Sequence, residues 1–324
     1  MSAARGTKLR ACALLLIAAL SACSTTPSAV PARHSGDHVT AQAQGATASA
    51  GLPVSEMEHI LQADGDVSDG VLAVDIARSD IHAKGGPDAV PFQEGFQLQH
   101  ELYFQATGSG HAILNGDVAL RQQEVQPVID ALVAHHLVFQ AEHQHLYDLR
   151  PMVWFVHFRG SGDPLRLARD IHAVIGKTAT ALPQHTPKRP RTALPAGQLG
   201  RVLGGKAEVG EHGIVTVTVP RTDAVRLGGQ RIRPELGVST EIQFQPLGGG
   251  RAVAVPDFSM TSAEVQPVTS VMRRAGWEVG CLYNQETGED PQLYFAHMIR
   301  SGDPIALAHA VRAGLDRTRA VRPS

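Results

Sequence analysis

The chain repeats itself, and this repeat constrains its fold more than any other feature. The sequence Glu-Val-Gln-Pro-Val at 124–128 recurs unchanged at 264–268, and Ser-Gly-Asp-Pro at 161–164 recurs at 301–304. Both pairs are separated by 140 residues. Unrelated segments would not keep one register over so long a stretch, so we infer a tandem duplication. The same offset also pairs single residues, among them Glu101 with Glu241, Asp117 with Asp257, and His157 with His297.

The duplication divides the chain of 324 residues into segments of different character. A basic, proline-rich stretch separates the copies, and proline favours an extended linker because it lacks an amide donor and stiffens the chain. The predicted segments are a lipoprotein signal peptide (1–22), a lipidated cysteine with a disordered tether (23–51), a first repeat domain (52–176), the linker (177–193) and a second repeat domain (194–319).

Each copy shows the same order of predicted elements. Residues 214–219 alternate β-branched side chains and predict a strand. Residues 101–105 and 111–115 flank a glycine-rich turn and predict a hairpin. Residues 137–142 and 152–158 predict a second strand pair, and apolar residues at helical spacing follow each pair. The sequence therefore predicts an α+β fold of two tandem β-ββα-ββα units, with antiparallel strand pairs and helices on one face.

Two short motifs are interpreted as structural. Asp163 followed by Pro164 is typical of a helix N-cap and first helical position. Arg78 and Asp80 recur in the second copy at 221–223, with arginine and aspartate in the same places. A pattern present in both copies fits an ion pair at a strand end better than catalysis.

The N-terminus has the organisation of a bacterial lipoprotein signal. Three basic residues precede the apolar run Ala11 to Leu20, which is too short to span a bilayer but suits a secretory signal. The run ends in Leu-Ser-Ala-Cys, which resembles a lipobox and implies lipidation of Cys23 and cleavage before it. A plain signal peptide and an uncleaved anchor are the alternatives. By analogy with Gram-negative sorting, Ser24 suggests a lipid-anchored protein of the cell envelope, in the outer membrane and facing the periplasm.

Cysteine count and charge exclude several classes of protein. The chain has three cysteines and no Cys-x-x-Cys, which excludes a disulfide scaffold and a zinc ribbon. The formal charge of −2 excludes a nucleic-acid binder that relies on bulk positive charge. The expected partners are therefore a membrane, through the lipid anchor, and an unidentified ligand or envelope protein.

The order of motifs resembles a known family. Arg-x-Asp, a Gly-Gly turn, Glu-Val-x-Pro-Val, a His-x-His strand end and a final Gly-Asp follow one another in the first copy. This run is similar to the LppY/LpqO lipoprotein family, and the similarity covers nearly all of 52–319. The resemblance implies a lipoprotein with tandem copies of a domain of unassigned function, and it implies no reaction.

Histidine is concentrated in the first copy, which holds ten histidines against three in the second. His143 and His145 are two residues apart, so on a strand their side chains share a face. An antiparallel neighbour would bring His157 to the same region. Three imidazoles with one carboxylate or water are usual ligands of zinc and similar divalent ions. The sequence predicts such a site from these three histidines, with Glu142 or Asp148 as a fourth ligand or a base.

The second copy does not preserve this pattern. Tyr283 and Gln285 replace the His-x-His pair, while His297 keeps the place of His157. We therefore expect no metal site in the second copy and a structural use for His297. A His-x-His beside a turn is also often only a polar strand end.

Two classes of function remain open. One is a ligand- or partner-binding envelope protein whose copies form a joint surface. The other is a metal-dependent enzyme, hydrolytic in its chemistry, with its centre in the first copy. The sequence contains no Gly-x-Ser-x-Gly nucleophile elbow or cofactor motif, which favours binding. The histidine bias keeps the enzyme as the alternative, with its catalytic residues unknown.

Overall fold

The computed structural model describes residues 51–186 and 190–323. The predicted signal peptide, Cys23 and all but the last residue of the predicted tether lie outside the described residues, as do three residues of the linker. Both repeats belong to one compact unit, Ala48–Ser324. Within the described ranges, every helix is too short or too polar to cross a bilayer.

The first repeat contains three helices and one large antiparallel sheet. Its elements are α1 (Val54–Leu61), β1 (Asp66–Ser68), β2 (Val71–Ala77), β3 (Lys84–Gly85), β4 (Val90–Pro91), β5 (Gln99–Gly108), β6 (His111–Leu120), a 3₁₀ turn (Gln122–Glu124), α2 (Val125–Ala134), β7 (Val138–His143), β8 (Trp154–Gly162) and α3 (Pro164–Ile175). The sheet order is β1-β2-β5-β6-β8-β7, and β3 pairs with β4 separately.

The second repeat has the same plan. Its elements are α4 (Ala196–Leu203), β9 (Lys206–Val209), a 3₁₀ turn (Glu211–Gly213), β10 (Val215–Val219), β11 (Arg226–Leu227), β12 (Gln230–Arg231), β13 (Thr240–Gly248), β14 (Arg251–Thr261), α5 (Ser262–Arg274), β15 (Glu278–Val279), β16 (Glu289–Asp290), β17 (Leu293–Gly302) and α6 (Pro304–Leu315). The sheet order is β9-β10-β13-β14-β17-β15, the counterpart of the first, and β12-β11-β16 form a small third sheet.

The registers confirm the α+β fold with two copies of one domain. In the first sheet Glu101 pairs with Asp117, and 140 residues later Glu241 pairs with Asp257. The predicted helix start is also present, because the Asp163 side chain accepts a 2.7 Å hydrogen bond from the backbone N–H of Arg166. The structure adds a helix at the start of each repeat, α1 and α4, which the sequence analysis does not predict.

Helices cover one face of each sheet, and the other faces of the two sheets meet. Each helix-covered face has a core from one repeat alone, for example Leu72 and Phe104 with α1 to α3. Two further apolar clusters mix the repeats: Phe155 packs in one with Val253, and Val71 packs in the other with Phe295. The repeats are therefore held together through the faces that their helices leave uncovered.

A buried arginine ties the end of β2 to the start of α2. The Arg78 guanidinium is fully buried, lies 2.8 Å from Asp80 and 2.9 Å from Glu124, and donates to the carbonyl of Ala119. The pattern at 78–80 is therefore structural. The second repeat forms the same network from Arg221, Asp223, Glu264 and the carbonyl of Ser259.

The described part of the linker packs along the first repeat. The Gln184 side chain accepts from the backbone N–H of Ala77 and donates to its carbonyl, both at 2.8 Å. The backbone N–H of Thr186 donates to Asp64 at 3.1 Å. These bonds fix this stretch against β2 and the loop after α1.

Candidate functional site

A cavity of about 1000 Å³ lies between the inner faces of the two sheets. Strands of both repeats line it, which means that neither copy encloses it alone. Polar and apolar side chains of both repeats line it, and two apolar clusters built from both repeats lie beside it. A large cavity with convergent polar groups is typical of a binding site.

One row of polar side chains crosses each sheet at the same position. In the first sheet Asp75, Glu101, Asp117 and His157 are successive cross-strand partners on β2, β5, β6 and β8. Directly opposite residues point to the same face, so each row lies on one face, and these residues line the cavity. The row of the second sheet consists of Thr218, Glu241, Asp257 and His297. We call these two rows the acidic rows.

The carboxyl groups of the acidic rows hold their protons unusually tightly. Burial, then the charges of Glu101, Asp66 and Glu208, raises the pKa of Asp75 to about 8, although solvent within the cavity reaches this residue. Burial and the charge of Glu101 raise the pKa of Asp117 well above its ordinary range. Glu241 is shifted in the same direction by burial and by Glu101. The charge of Glu101 is therefore the largest electrostatic cause of the raised pKa in all three of these acids.

Three histidines from both repeats meet at one end of the rows. The ligand nitrogens of His143, His145 and His297 lie within 4.8 Å of one another. His143 ends β7, His145 lies in the loop that follows, and His297 lies on β17 of the second repeat. The ring centroids of His145 and His297 are 3.6 Å apart. We call these three residues the histidine cluster.

Two imidazoles of the histidine cluster, those of His143 and His145, have buried nitrogens without a partner in the described part of the chain, whereas Nδ1 of His297 lies 3.3 Å from Sγ of Cys281. Among the described residues, neither ring nitrogen of His143 and not Nε2 of His145 has a hydrogen-bond partner, although all three atoms are buried. Nδ1 of His145 lies 3.1 Å from Oε1 of Gln97, which assigns the proton to Nδ1 and leaves Nε2 as an acceptor. An unpaired buried polar atom costs about 1–3 kcal/mol, so such atoms call for a ligand.

Burial keeps these rings neutral. It lowers the pKa of His143 and His145 well below the ordinary value, and it lowers the pKa of His297 to about 3. Neighbouring histidines lower each pKa further. Neutral imidazole is the form that binds a metal ion.

The structure brings together two of the three histidines predicted as ligands and adds a different third. His157 lies near the cluster, with its ring centroid 5.1 Å from that of His143. Its Nε2 is 3.7 Å from the Asp117 carboxylate. The third nitrogen within reach belongs to His297, for which the sequence analysis expects only a structural use. The difference arises because the two copies face each other.

The two carboxylates suggested as a fourth ligand lie away from the histidine cluster. Glu142 is exposed on β7. Asp148 accepts a 2.9 Å hydrogen bond from the backbone N–H of Gly86. The carboxylate beside the cluster is that of Asp257, whose Oδ1 lies 3.7 Å from Nδ1 of His297. Burial, which outweighs the hydrogen bond from Tyr283, raises the pKa of Asp257 to about 7.

One of the surplus histidines of the first copy is structural. His100 is fully buried, accepts from the backbone N–H of Ala119 at 3.1 Å, and lies 2.7 Å from the hydroxyl of Thr180. Burial lowers its pKa to about 3. In the second repeat Thr240 takes the same role and accepts from Ser259 at 3.0 Å. The histidine excess therefore has more than one cause.

The acidic rows are the part of the site that the sequence analysis misses. Their signal is present in the sequence, because Glu101, Asp117 and His157 each have an identical residue 140 positions later. Identity at these polar positions is a stronger indication of a shared site than the His-x-His pair, which one copy lacks.

Comparison with known proteins identifies the family of the domain but assigns no activity to it. No curated protein matches the chain. Among solved structures, a trimeric bacterial microcompartment shell protein, PduB, aligns at 10% sequence identity over 79% of this chain and 95% of its own, with a TM-score of 0.20. A TM-score this low supports no conclusion about fold or function.

The family comparison covers both repeats. The sequence model described as Domain of Unknown Function (DUF1259) matches residues 55–177 and again residues 197–317. These ranges contain every strand of the two acidic rows and all three residues of the histidine cluster. The chain therefore belongs to the DUF1259 family and carries two tandem copies of its domain.

Proposed function

We propose that this protein binds a divalent transition-metal ion between its two repeats, through His143, His145 and His297. The observation that carries the proposal is that their ligand nitrogens lie within 4.8 Å of one another, and that His143 and His145 have buried nitrogens with no hydrogen-bond partner among the described residues. A set of three imidazoles favours zinc or a similar ion over calcium or magnesium, which prefer oxygen ligands.

The surroundings of the cluster support a metal site. Gln97 orients His145, and its own backbone N–H donates to Gln243 of the second repeat at 2.9 Å. Partners of this kind fix the tautomer and orientation of a ligating imidazole. The three histidines leave a fourth coordination position, which the carboxylate of Asp257 or a ligand in the cavity would fill.

We place this binding function in the cell envelope. The lipobox at Cys23 and the resemblance to the LppY/LpqO lipoproteins support a lipid-anchored protein, with the outer membrane and the periplasmic face favoured by Ser24. The membrane is then a partner through the anchor alone, and the two repeats form the joint binding surface.

Metal-dependent hydrolysis is the second candidate. One observation favours it: His145 and His297 of the cluster and the carboxylate of Asp257 line a cavity of about 1000 Å³, which has room for a substrate beside the ion. A carboxylate in that position is placed to accept a proton from a water molecule.

Metal analysis tests the proposal. The full chain, purified in detergent without a histidine tag, is loaded with Zn²⁺, Mn²⁺ or Fe²⁺, and bound metal is measured by mass spectrometry. We expect one ion per chain in the parent and none in His143→Ala, His145→Ala or His297→Ala. His111→Ala is the matched control, because this histidine is exposed and bonds only locally, to the carbonyl of Ser109. The absence of metal in the loaded parent would overturn the proposal.

A second assay separates the two candidates. The loaded protein is incubated with chromogenic phosphate esters and carboxylic esters. Turnover that needs the ion and disappears in His297→Ala would establish hydrolysis. Stoichiometric metal without turnover would leave binding as the function.

A further inference from the structure

The charged residues that line the cavity are almost all acidic, although acidic and basic residues are nearly balanced in the whole chain. The chain has 29 basic and 31 acidic residues. Among described residues that line the cavity, however, there are eleven carboxylic side chains, one lysine and no arginine. That lysine, Lys206, is paired with Glu208 at 2.5 Å. A cleft lined by one sign of charge concentrates ligands of the opposite sign.

The acidic rows are costly unless protons or a bound cation neutralise them. Glu101 lies directly opposite Asp75 on one side and Asp117 on the other. Like charges in directly opposite positions destabilise a sheet. The second repeat keeps the pair Glu241 and Asp257 in register. Two sheets of one chain thus hold carboxylates in an arrangement that bound positive charge would relieve.

The spacing of these carboxylates suits an extended cation better than a single ion. Among the described residues, two groups of three ligand atoms converge within 4.8 Å: the histidine cluster, and Glu94 with Glu211 and His212. The acidic rows form no such group. Their carboxyl groups follow the strand separation of about 4.8 Å in a cavity large enough for an organic molecule. Several ammonium groups joined by short methylene spacers match this distribution.

A neutral acceptor with no partner points to the same ligand. Asn115 is 3% exposed, lines the cavity, and shares a face with Asp117 two residues further along β6. Its Nδ2 donates to the carbonyl of Leu236 at 2.9 Å, while its Oδ1 has no partner among the described residues. An amide oxygen only accepts hydrogen bonds, so this atom is preformed for an N–H donor.

An aromatic side chain also lines the cavity beside these polar groups. Tyr103 lies opposite Asn115 in the β5–β6 pairing and lines the cavity. Its hydroxyl donates to Glu101 at 2.9 Å, which holds the carboxylate in place. A tyrosine ring attracts an ammonium group through its negative face and packs against methylene groups.

We propose that the acidic rows bind a linear aliphatic polyamine, with its ammonium groups on Asp75, Glu101 and Glu241 and an N–H donated to Asn115. The proposal goes beyond metal binding, and none of these four contact residues belongs to the histidine cluster. It assigns to the cavity a ligand whose charge complements both rows.

Calorimetric titration of the full chain tests this proposal. The protein is purified in detergent, freed of metal with a chelator, and titrated with spermidine, with Mg²⁺, and with an uncharged diol of matched length. We expect saturable binding of one spermidine per chain that weakens as salt is added, and no binding of the diol. Glu101→Gln is expected to weaken spermidine binding about tenfold or more, since it removes one charge-assisted contact.

Two control variants make the result decisive. Asp88→Asn removes an exposed acid that pairs with Arg251 outside the cavity, and it should leave binding unchanged. His143→Ala should also keep spermidine binding, whether or not the protein holds metal, so the two proposals fail separately. The polyamine proposal is overturned if spermidine does not saturate, if the diol or Mg²⁺ binds as tightly, or if Glu101→Gln binds as well as the parent.

Discussion

Replacing Glu101 with glutamine should make the protein more stable. Glu101 has two acidic cross-strand partners, Asp75 and Asp117. Opposite charges in such positions contribute about 0.2–1 kcal/mol, and we take the cost of a like-charge pair to be of the same size. In Glu101, Oε1 accepts from Gln99 at 2.7 Å and Oε2 accepts from Tyr103 at 2.9 Å. Glutamine keeps one oxygen to accept from Gln99, and its amide N–H can donate to the Tyr103 hydroxyl, which both donates and accepts. Removing both repulsive pairs should therefore raise the free energy of unfolding by up to about 2 kcal/mol, and the gain should grow as rising pH ionises Asp75 and Asp117.

The duplication supplies a matched comparison. Glu241 has one acidic cross-strand partner, Asp257, because Thr218 occupies the place of Asp75. Glu241→Gln should therefore stabilise by about 0.2–1 kcal/mol, roughly half as much as Glu101→Gln.

The gain should also depend on pH. Burial raises the pKa of Glu101 above its ordinary value of 4.5, against the hydrogen bonds from Gln99 and Tyr103. The folded parent thus binds its proton more tightly than the unfolded chain, and parent stability falls as pH rises above that value. The acids whose pKa the charge of Glu101 raises are Asp75, Asp117, Glu241 and Asp257. All four are shifted in the same direction, so the advantage of glutamine should be larger at pH 8 than at pH 5.

Urea unfolding of the metal-free full chain at pH 5 and pH 8 measures these differences. The reasoning fails if Glu101→Gln is less stable than the parent at pH 8. It also fails if Glu241→Gln gains more than Glu101→Gln, or if the gain shrinks as pH rises.

Three further predictions concern other parts of the chain. Arg78→Met and the equivalent Arg221→Met should each lose about 3–5 kcal/mol in urea unfolding, because each leaves buried carboxylates unpaired, whereas Arg251→Met, which breaks an exposed pair, should lose less than about 1 kcal/mol. Cys23→Ser should abolish palmitate labelling and release the protein from the membrane fraction, and a labelled, membrane-bound mutant would contradict the lipid anchor. Zn²⁺ at a hundred times its Kd should stabilise the parent by about 2.7 kcal/mol in thermal unfolding and leave His145→Ala unaffected; equal shifts would refute the ligand assignment.

Local patterns made the architecture of each repeat predictable. The alternation at 214–219 predicts a strand with one buried face, and β10 occupies Val215–Val219. An aspartate before a proline predicts a helix start, as at Asp163. The short helix α1 is harder to predict, because no side chain caps its start.

The position of the histidine cluster could not be predicted in the same way. His143 and His145 share a strand end, which spacing reveals. Their contact with His297 depends on two sheets meeting face to face. That meeting is held by side chains such as Phe155 and Val253, which in the sequence look like residues of separate cores. Sequence spacing indicates which residues are close within one repeat. It does not indicate which residues of the other repeat pack against them.

The fused chain has a freedom that two identical subunits would lack. In a symmetric pair, each His-x-His would face the histidine of the other subunit, and the two sites would be equal. Here the counterpart of the histidine cluster is formed by Tyr283, Gln285 and His157, and Tyr283 donates to Asp257 at 3.1 Å. The Tyr283 ring also stacks on that of His143 with the centroids 3.6 Å apart, so the two unlike sets lie side by side. Fusion of the copies thus lets one half of a pseudo-symmetric centre keep its imidazoles while the other half supplies a phenol and an amide that pack against them.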